Sequence, residues 1–166
     1  MYTKEEIWSS FSNEIRIIKH LGEKISPDGL DHRPTEKQRT TLELMQYIAR
    51  MGKGVFRAVL EERAEGFTGY ITESEGITLE NFAVMMDKQE IEMKELYEKF
   101  DDAELGKVLS LWGRTAEKRF FILDALKMIT AYKMQLFLYI KASSDASIGT
   151  INLWAGMDAP APQITA

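Results

Sequence analysis

The chain has 166 residues, a length that suits one domain with a hydrophobic core of ordinary size. Its formal net charge is −5 and it has no dense run of lysine and arginine, so the composition argues against nucleic acid as a partner. It contains no cysteine, which excludes disulfide bonds, thiol catalysis and thiolate metal sites.

The ends and the apolar runs of the chain predict where the protein is found. Residues 1–6 are polar and charged, unlike the basic and then apolar start of a signal peptide. The longest apolar runs, such as residues 136–140, are far too short to span a bilayer. We therefore expect a cytoplasmic protein with no membrane partner, folded as one domain over residues 1–166.

The first two helices have clear start signals. Thr3 and Glu6 have the spacing of a capping box, in which each side chain binds a free backbone N–H of the first turn, so a helix should begin after Thr3. This helix should end where the Pro-Asp-Gly sequence at Pro27 begins a loop. Thr40 and Glu43 repeat the capping-box spacing and predict the start of a second helix.

Two more helices are predicted further along the chain. Gly52 and Gly54 lie inside the second helix, where they either allow another helix to approach closely or mark a kink. Thr78 should cap a third helix, and a fourth should run from about Thr115 to Ala142. Residues 107–111 suggest a short extended piece between them, and the tail after the fourth helix should be irregular.

These elements predict an all-α fold. Four helices of bundle length in one small domain indicate a four-helix bundle with long connections and an irregular C-terminal segment. Short loops would force neighbouring helices to be antiparallel, but these connections are about a dozen residues long and leave the topology open.

Histidines offer little support for a metal site. The only two are His20 and His32, and neither has a glutamate three residues before it, as the di-iron motif of helix bundles requires. Two histidines cannot form a three-histidine zinc site either. A mixed site of His20, His32 and carboxylates stays open, but the two residues are far more typical of an ordinary helix end and loop.

The fourth helix carries a polar line. Met128, Tyr132, Gln135 and Tyr139 lie at positions i, i+4, i+7 and i+11 and therefore share one face, which borders the apolar residues. The tyrosines could be core or interface aromatics with bonded hydroxyls, or they could line a ligand site. Periodicity alone favours the first interpretation.

The chain resembles the DinB-like superfamily, which includes the YfiT-type metalloenzymes. Residues 41–50, TLELMQYIAR, look like the second helix of that family, usually written E-L-hydrophobic-x-H-hydrophobic-A. Residues 132–141, YKMQLFLYIK, look like its H-R-G-Q-L-x-x-Y-L motif on the last bundle helix. Residues 152–158 fall where the family often has a short closing segment. The resemblance spans nearly the whole chain and implies a DinB-like four-helix bundle.

The resemblance also implies a site. Family members commonly bind a divalent metal through three histidines, and the matching positions here hold Tyr47, Met128 and Tyr132, while the glutamine of the family matches Gln135. Tyrosine and methionine lack the imidazole that such sites prefer, so we expect no metal and no cofactor. We expect Tyr47 to face Tyr132 across a candidate ligand-binding cleft, with Gln135 one turn away.

Three functions follow from this reasoning. The first is a small-molecule binding or regulatory protein that has lost the metal of the family. The second is an enzyme of the transferase or hydrolase type that uses the same cleft, since thiol transfer or hydrolysis is often suggested for the family. The third is a structural, dimeric, stress-associated protein. A polar pocket around Tyr47 and Tyr132 would favour the first two, and dense apolar packing the third. A homodimer is expected, as DinB-like proteins often form one.

Overall fold

The computed structural model describes residues 2–160, most of which are helical, as the sequence predicts. Four long helices form the body of the fold, and four short helices and one β-hairpin fill the connections. In chain order the elements are α1 (Lys4–Gly22), α2 (Thr41–Glu61), α3 (Glu65–Thr68), α4 (Ile71–Glu75), α5 (Phe82–Glu98), α6 (Asp102–Leu105), β1 (Val108–Leu111), β2 (Arg114–Glu117), α7 (Lys118–Ser143) and α8 (Thr150–Ala155).

The starts of α1 and α2 lie where the capping boxes predict them. The backbone N–H of Glu6 donates to Thr3 Oγ1 at 3.1 Å, and the N–H of Thr3 donates to Glu6 Oε2 at 2.7 Å. Thr40 and Glu43 make the same reciprocal pair at 3.2 and 2.7 Å. Both boxes satisfy backbone donors that a helix start leaves free, and this fixes where each helix begins.

Helix α2 lies at the centre of the bundle, where it packs against α5 and α7. Its close packing with α5 includes the side chain of Gln89, which is fully buried. The amide of Gln89 donates to the carbonyl of Ile48 at 3.1 Å and accepts from the N–H of Gly52 at 3.1 Å. These are the two backbone groups that an α-helical turn joins, so Gln89 clamps one turn of α2 from outside.

The two glycines of α2 permit close approach. A Cβ atom at Gly52 would lie 2.5 Å from Met93 Sδ on α5, and one at Gly54 would lie 3.1 Å from the carbonyl oxygen of Phe67 on α3. Neither position has room for a larger side chain unless its neighbour moves. Of the two roles considered from the sequence, the structure therefore supports close packing.

The fourth helix begins later than predicted. Residues 114–117 form strand β2, which pairs antiparallel with β1, and α7 begins only at Lys118. The extended piece expected at residues 107–111 is present as β1, and its Leu109 and Leu111 are buried. Because cross-strand pairing with β1 holds the backbone extended, the helical pattern of residues 115–117 does not decide their conformation.

Three other boundaries differ from prediction. Helix α1 ends at Gly22, before Pro27, because Lys24 and Ile25 donate to carbonyls three residues back and tighten the chain. The third long helix begins at Phe82 rather than after Thr78, since the Asn81 side chain accepts from the Thr78 N–H at 2.9 Å and forms a turn.

The tail predicted to be irregular contains a helix. Helix α8 covers Thr150–Ala155 and packs on α1. Arg16 on α1 donates to the carbonyl of Ala155 at 2.9 Å, which ties the end of α8 to the bundle. The rest of the predicted segment, from residue 161 onward, lies outside the described residues. No helix within residues 2–160 has the length and apolar character needed to cross a membrane.

Candidate functional site

Tyr47 on α2 and Tyr132 on α7 meet where these two helices pack. Their ring centroids lie 4.8 Å apart with an interplanar angle of 61°, an edge-to-face arrangement that aromatic pairs favour. Both side chains are half-buried. The helices that carry them are separated by most of the chain, so it is the bundle that brings the two tyrosines together.

Met128 and Gln135 lie beside Tyr132 along α7. Together with Lys127 and Ala131 they line an open groove of about 450 Å³. The amide of Gln135 donates to the hydroxyl of Tyr139 at 2.8 Å, so Gln135 bonds along its own helix. Tyr139 is buried and belongs to the core, which agrees with the interpretation that periodicity favoured for this residue.

An apolar cavity adjoins the groove. It has a volume of about 210 Å³ and is lined by Val55, Phe67, Trp112 and Met128, so Met128 is shared with the groove. The ring centroid of Phe67 lies 6.3 Å from that of Tyr47 and 5.9 Å from that of Trp112. We call the groove, this cavity and the Tyr47–Tyr132 pair the tyrosine cleft.

The backbone around the cavity explains how Phe67 and Trp112 reach it. Helix α3 can approach α2 because Gly66 has no side chain; a Cβ there would lie 2.7 Å from the Cα of Ala58. Trp112 stands in the turn between β1 and β2 with φ +53°, a conformation uncommon for residues other than glycine. The hairpin thus presents an indole ring to the cavity while leaving it 49% exposed.

Two arginines lie against Tyr47. The guanidinium carbon of Arg39, in the loop before α2, is 4.1 Å from the Tyr47 ring centroid, and that of Arg50 is 5.1 Å from it. Arg50 also lies 5.5 Å from the Phe67 ring centroid. Its Nη1 atom is buried and has no hydrogen-bond acceptor among the described residues.

The arginines and the burial of the cleft act on its titrating groups. Burial raises the pKa of the Tyr47 phenol, and the neighbouring Tyr132 adds to this rise, while Arg39 and Arg50 oppose it. Burial lowers the pKa of the Arg50 guanidinium, and the positive charge of Arg39 adds to this effect. Tyr47 is therefore a neutral phenol at neutral pH, and it can donate a hydrogen bond.

The donor set does not fit the metal of the resembling family. Tyr47, Met128 and Tyr132 offer two phenols and a thioether, and the raised pKa of Tyr47 works against a phenolate ligand. Two cationic side chains also lie beside Tyr47. Within residues 2–160 no group of three or more histidine, aspartate or glutamate side chains is arranged to hold a metal ion.

The two histidines make other contacts. His20 Nε2 lies 3.1 Å from the amide nitrogen of Asn152 in α8 and 3.7 Å from a carboxylate oxygen of Asp158. The ring of His32 packs edge-on against Tyr139 at 5.5 Å between centroids. These contacts fit the ordinary structural roles that the sequence favoured for both residues.

Comparison with known proteins identifies the fold. No family model matches the chain, and no curated protein matches it. The crystal structure of a DinB-like protein, YjoA from Bacillus subtilis, is similar to it with a TM-score of 0.69 and 21% sequence identity, over 82% of this chain and 91% of YjoA. The chain has the DinB-like fold.

The DinB-like fold accounts for the position of the cleft. Its bundle packs the second and the last long helix against each other, which brings Tyr47 next to Tyr132. Arg39, Arg50, Phe67 and Trp112 were not predicted as site residues. Arg50 stands three residues after Tyr47 on one helix and could have been found from that spacing, but the sequence holds no such signal for Phe67 or Trp112.

Proposed function

We propose that this protein binds a small organic molecule in the tyrosine cleft. The proposal rests mainly on one observation, the half-buried Tyr47–Tyr132 pair at the junction of an open groove and an apolar cavity. Clefts that combine apolar walls with a few polar groups are typical of small-molecule sites. The alternative of a purely structural protein called for dense apolar packing here, and two arginines and two phenols argue against it.

Binding has more support than catalysis. General acid–base chemistry uses a histidine or carboxylate most often, placed within hydrogen-bond reach of the reacting atoms. The side chains that line the groove and the cavity include neither of these, and their one ionisable amine is that of Lys127. An enzyme that uses the cleft is therefore the second candidate, and a cytoplasmic location remains part of the proposal.

Methionine methyl resonances can test the proposal. The chain has nine methionines, and Met128 lies in both parts of the cleft, whereas Met134 is exposed on α7 and lines neither part. With methionine labelled in its methyl group with carbon-13, a library of small organic compounds should yield ligands that shift Met128 and leave Met134 in place.

A pair of variants controls this experiment. Tyr132→Ala should abolish the ligand-induced shift of Met128, because it removes one wall of the groove. Tyr2→Ala replaces an exposed tyrosine outside the cleft and should leave the shift unchanged. Ligands that perturb the other methionines as strongly as Met128, or that bind Tyr132→Ala as well as the parent protein, would contradict the proposal.

We also propose that the cleft carries no stoichiometric transition metal. The reason is its donor set, which lacks imidazole and carboxylate ligands. Elemental analysis of protein purified without a metal-affinity tag should find well under one equivalent of zinc, nickel or iron. One equivalent that disappears in Tyr132→Phe would show that the phenols do bind a metal and that the reasoning is wrong.

A homodimer is a further part of the proposal. Met134 and Leu138 are exposed one turn apart on α7, and the exposed Trp154 of α8 lies next to the same helix, 5.3 Å from Lys133 Nζ to its ring centroid. Exposed apolar and aromatic side chains of this kind support an interface. Light scattering at micromolar concentration should give about twice the chain mass, and Leu138→Glu should lower it; a monomer at high concentration would refute the dimer.

A further inference from the structure

The buried lysines of this protein are all paired with carboxylates. Lys53, Lys118 and Lys133 are each at most 2% exposed. Lys53 Nζ lies 2.8 Å from a carboxylate oxygen of Glu73, Lys118 Nζ 2.7 Å from one of Glu62, and Lys133 Nζ 2.8 Å from one of Glu14. Transfer of an unpaired charge out of water is costly, so each lysine has its counter-ion built into the fold.

The two arginines of the tyrosine cleft depart from this pattern. Among residues 2–160, no carboxylate oxygen lies within 4.0 Å of a nitrogen atom of Arg39 or Arg50. Arg50 is half-buried, and its Nη1 atom is buried without an acceptor. Both guanidinium groups approach the same ring, that of Tyr47, so each adds to the positive potential at the other.

We propose that the tyrosine cleft binds an organic anion, a carboxylate or a phosphate ester, whose charged group contacts Arg39 and Arg50 and whose apolar part lies in the cavity beside Met128. This proposal rests on the proposed function and names its ligand class. Guanidinium groups bind carboxylate and phosphate through paired N–H donors, so the unpaired Arg50 suits this class of ligand.

The size and walls of the cavity favour an organic anion over an inorganic one. A cavity of about 150 Å³ lined by apolar side chains can hold benzene. The cavity here has about 210 Å³ and is lined by one valine, one methionine and two aromatic residues. Arg50 lies 5.5 Å from the ring centroid of Phe67, one of these walls, so a ligand ring in the cavity can carry its anionic group next to this arginine.

The charge of the whole chain makes this preference local. With a formal net charge of −5, the protein has no general attraction for anions. An anion is therefore expected to bind only where it contacts the two arginines, and removal of either guanidinium should weaken binding measurably. The neutral phenol of Tyr47 supplies a further hydrogen-bond donor at the same place.

Four probes of similar size test the ligand class. They are benzoate, phenyl phosphate, benzyl alcohol and benzylamine, titrated against the full chain by calorimetry and by the Met128 methyl shift. We expect at least one of the two anions to bind about tenfold or more tightly than benzyl alcohol, and benzylamine to bind most weakly. The anion that binds more tightly identifies the charged group as carboxylate or phosphate.

Variants at the arginines test where the anion binds. Arg50→Gln should remove the preference for the anion over benzyl alcohol, and Arg39→Gln should reduce it. Arg50→Lys keeps the charge but loses the planar pair of donors, so it should retain part of the preference. Arg63→Gln is the matched control, because Arg63 is exposed and paired with Glu61. Circular dichroism and thermal unfolding of each variant establish that it is folded.

The outcomes separate this inference from the proposed function. If benzyl alcohol binds as tightly as both anions and shifts Met128, the ligand class is wrong while binding in the cleft stands. If an anion binds but Arg50→Gln and Arg39→Gln bind it unchanged, the arginines are not its site and the inference fails. If neither anion shifts Met128, the inference also fails, and the library experiment decides the proposed function independently.

Discussion

Replacement of Lys118 by methionine would test how the ends of three helices are held together. The Lys118 side chain is 1% exposed, and its amine pairs with Glu62, which follows α2, and with Glu104 of α6. Burial alone would lower the pKa of Lys118, but its contacts with Glu104 and Glu62 outweigh burial and raise it. The charged amine is therefore the form that the fold stabilises.

The size of the effect follows from the exposure of the partners. Loss of one member of a buried ion pair costs about 3–5 kcal/mol, because the other member stays buried without a counter-ion. The Glu62 side chain is 56% exposed and can regain water when Lys118 is gone. The methionine also keeps most of the apolar stem of the lysine. We therefore expect Lys118→Met to lower the free energy of unfolding by about 2–3 kcal/mol.

Lys107→Met is the matched control. Lys107 also pairs with Glu104, but its side chain is 60% exposed, so its removal should cost less than about 1 kcal/mol. Urea unfolding of both variants, followed by far-ultraviolet circular dichroism, gives the free energies, and an unchanged slope against urea shows that the folded states are comparable. Equal losses in the two variants, or a Lys118→Met protein as stable as the parent, would refute the argument from burial.

Two further predictions concern buried polar groups. Gln89→Leu leaves backbone groups of α2 without their side-chain partner, so we expect it to lower the free energy of unfolding by about 1–3 kcal/mol; a fully stable variant in urea would contradict the clamp. Burial raises the pKa of both Tyr70 and Tyr97 to about 12. Unfolded tyrosine loses its proton near pH 10, so this stabilisation is complete below pH 10 and is lost as pH rises to 12, about 2 kcal/mol for each tyrosine. In thermal unfolding from pH 9 to pH 11.5, Tyr97→Phe should lose less stability than the parent, and an identical loss would argue against the buried phenol.

Local signals in the sequence predict the fold best. The capping boxes at Thr3 and Thr40 act within four residues, so they fix the starts of α1 and α2 without help from the rest of the chain. The start of α7 depends on the pairing of residues 114–117 with β1, which a pattern search along one segment does not detect. Helix α8 is similar, since its docking on α1 involves Arg16, more than 130 residues away in sequence.

The candidate site divides in the same way. The contact between Tyr47 and Tyr132 could be expected because the motifs around both residues resemble those that meet in DinB-like bundles. Arg39 reaches the cleft through a loop that is fixed by the Thr41 N–H, which donates to the carbonyl of His32 at 2.9 Å. Trp112 reaches it through a hairpin turn. Loop and turn geometry depend on tertiary contacts, so neither residue could be assigned to the cleft from the sequence.

One electrostatic feature connects the two proposals about the cleft. At an effective dielectric constant of about 20, a divalent cation placed on the order of 5 Å from one arginine is repelled by about 6–7 kcal/mol, and a monovalent anion at that distance is attracted by about 3 kcal/mol. The guanidinium groups of Arg39 and Arg50 lie about this far from the Tyr47 ring, at 4.1 and 5.1 Å. The same two charges thus oppose a metal and favour an anion. Arg50→Gln should therefore weaken anion binding and, in protein exposed to excess zinc, should not reduce the small amount of zinc retained; a loss of zinc in this variant would mean that the cleft is not cationic and would contradict both proposals together.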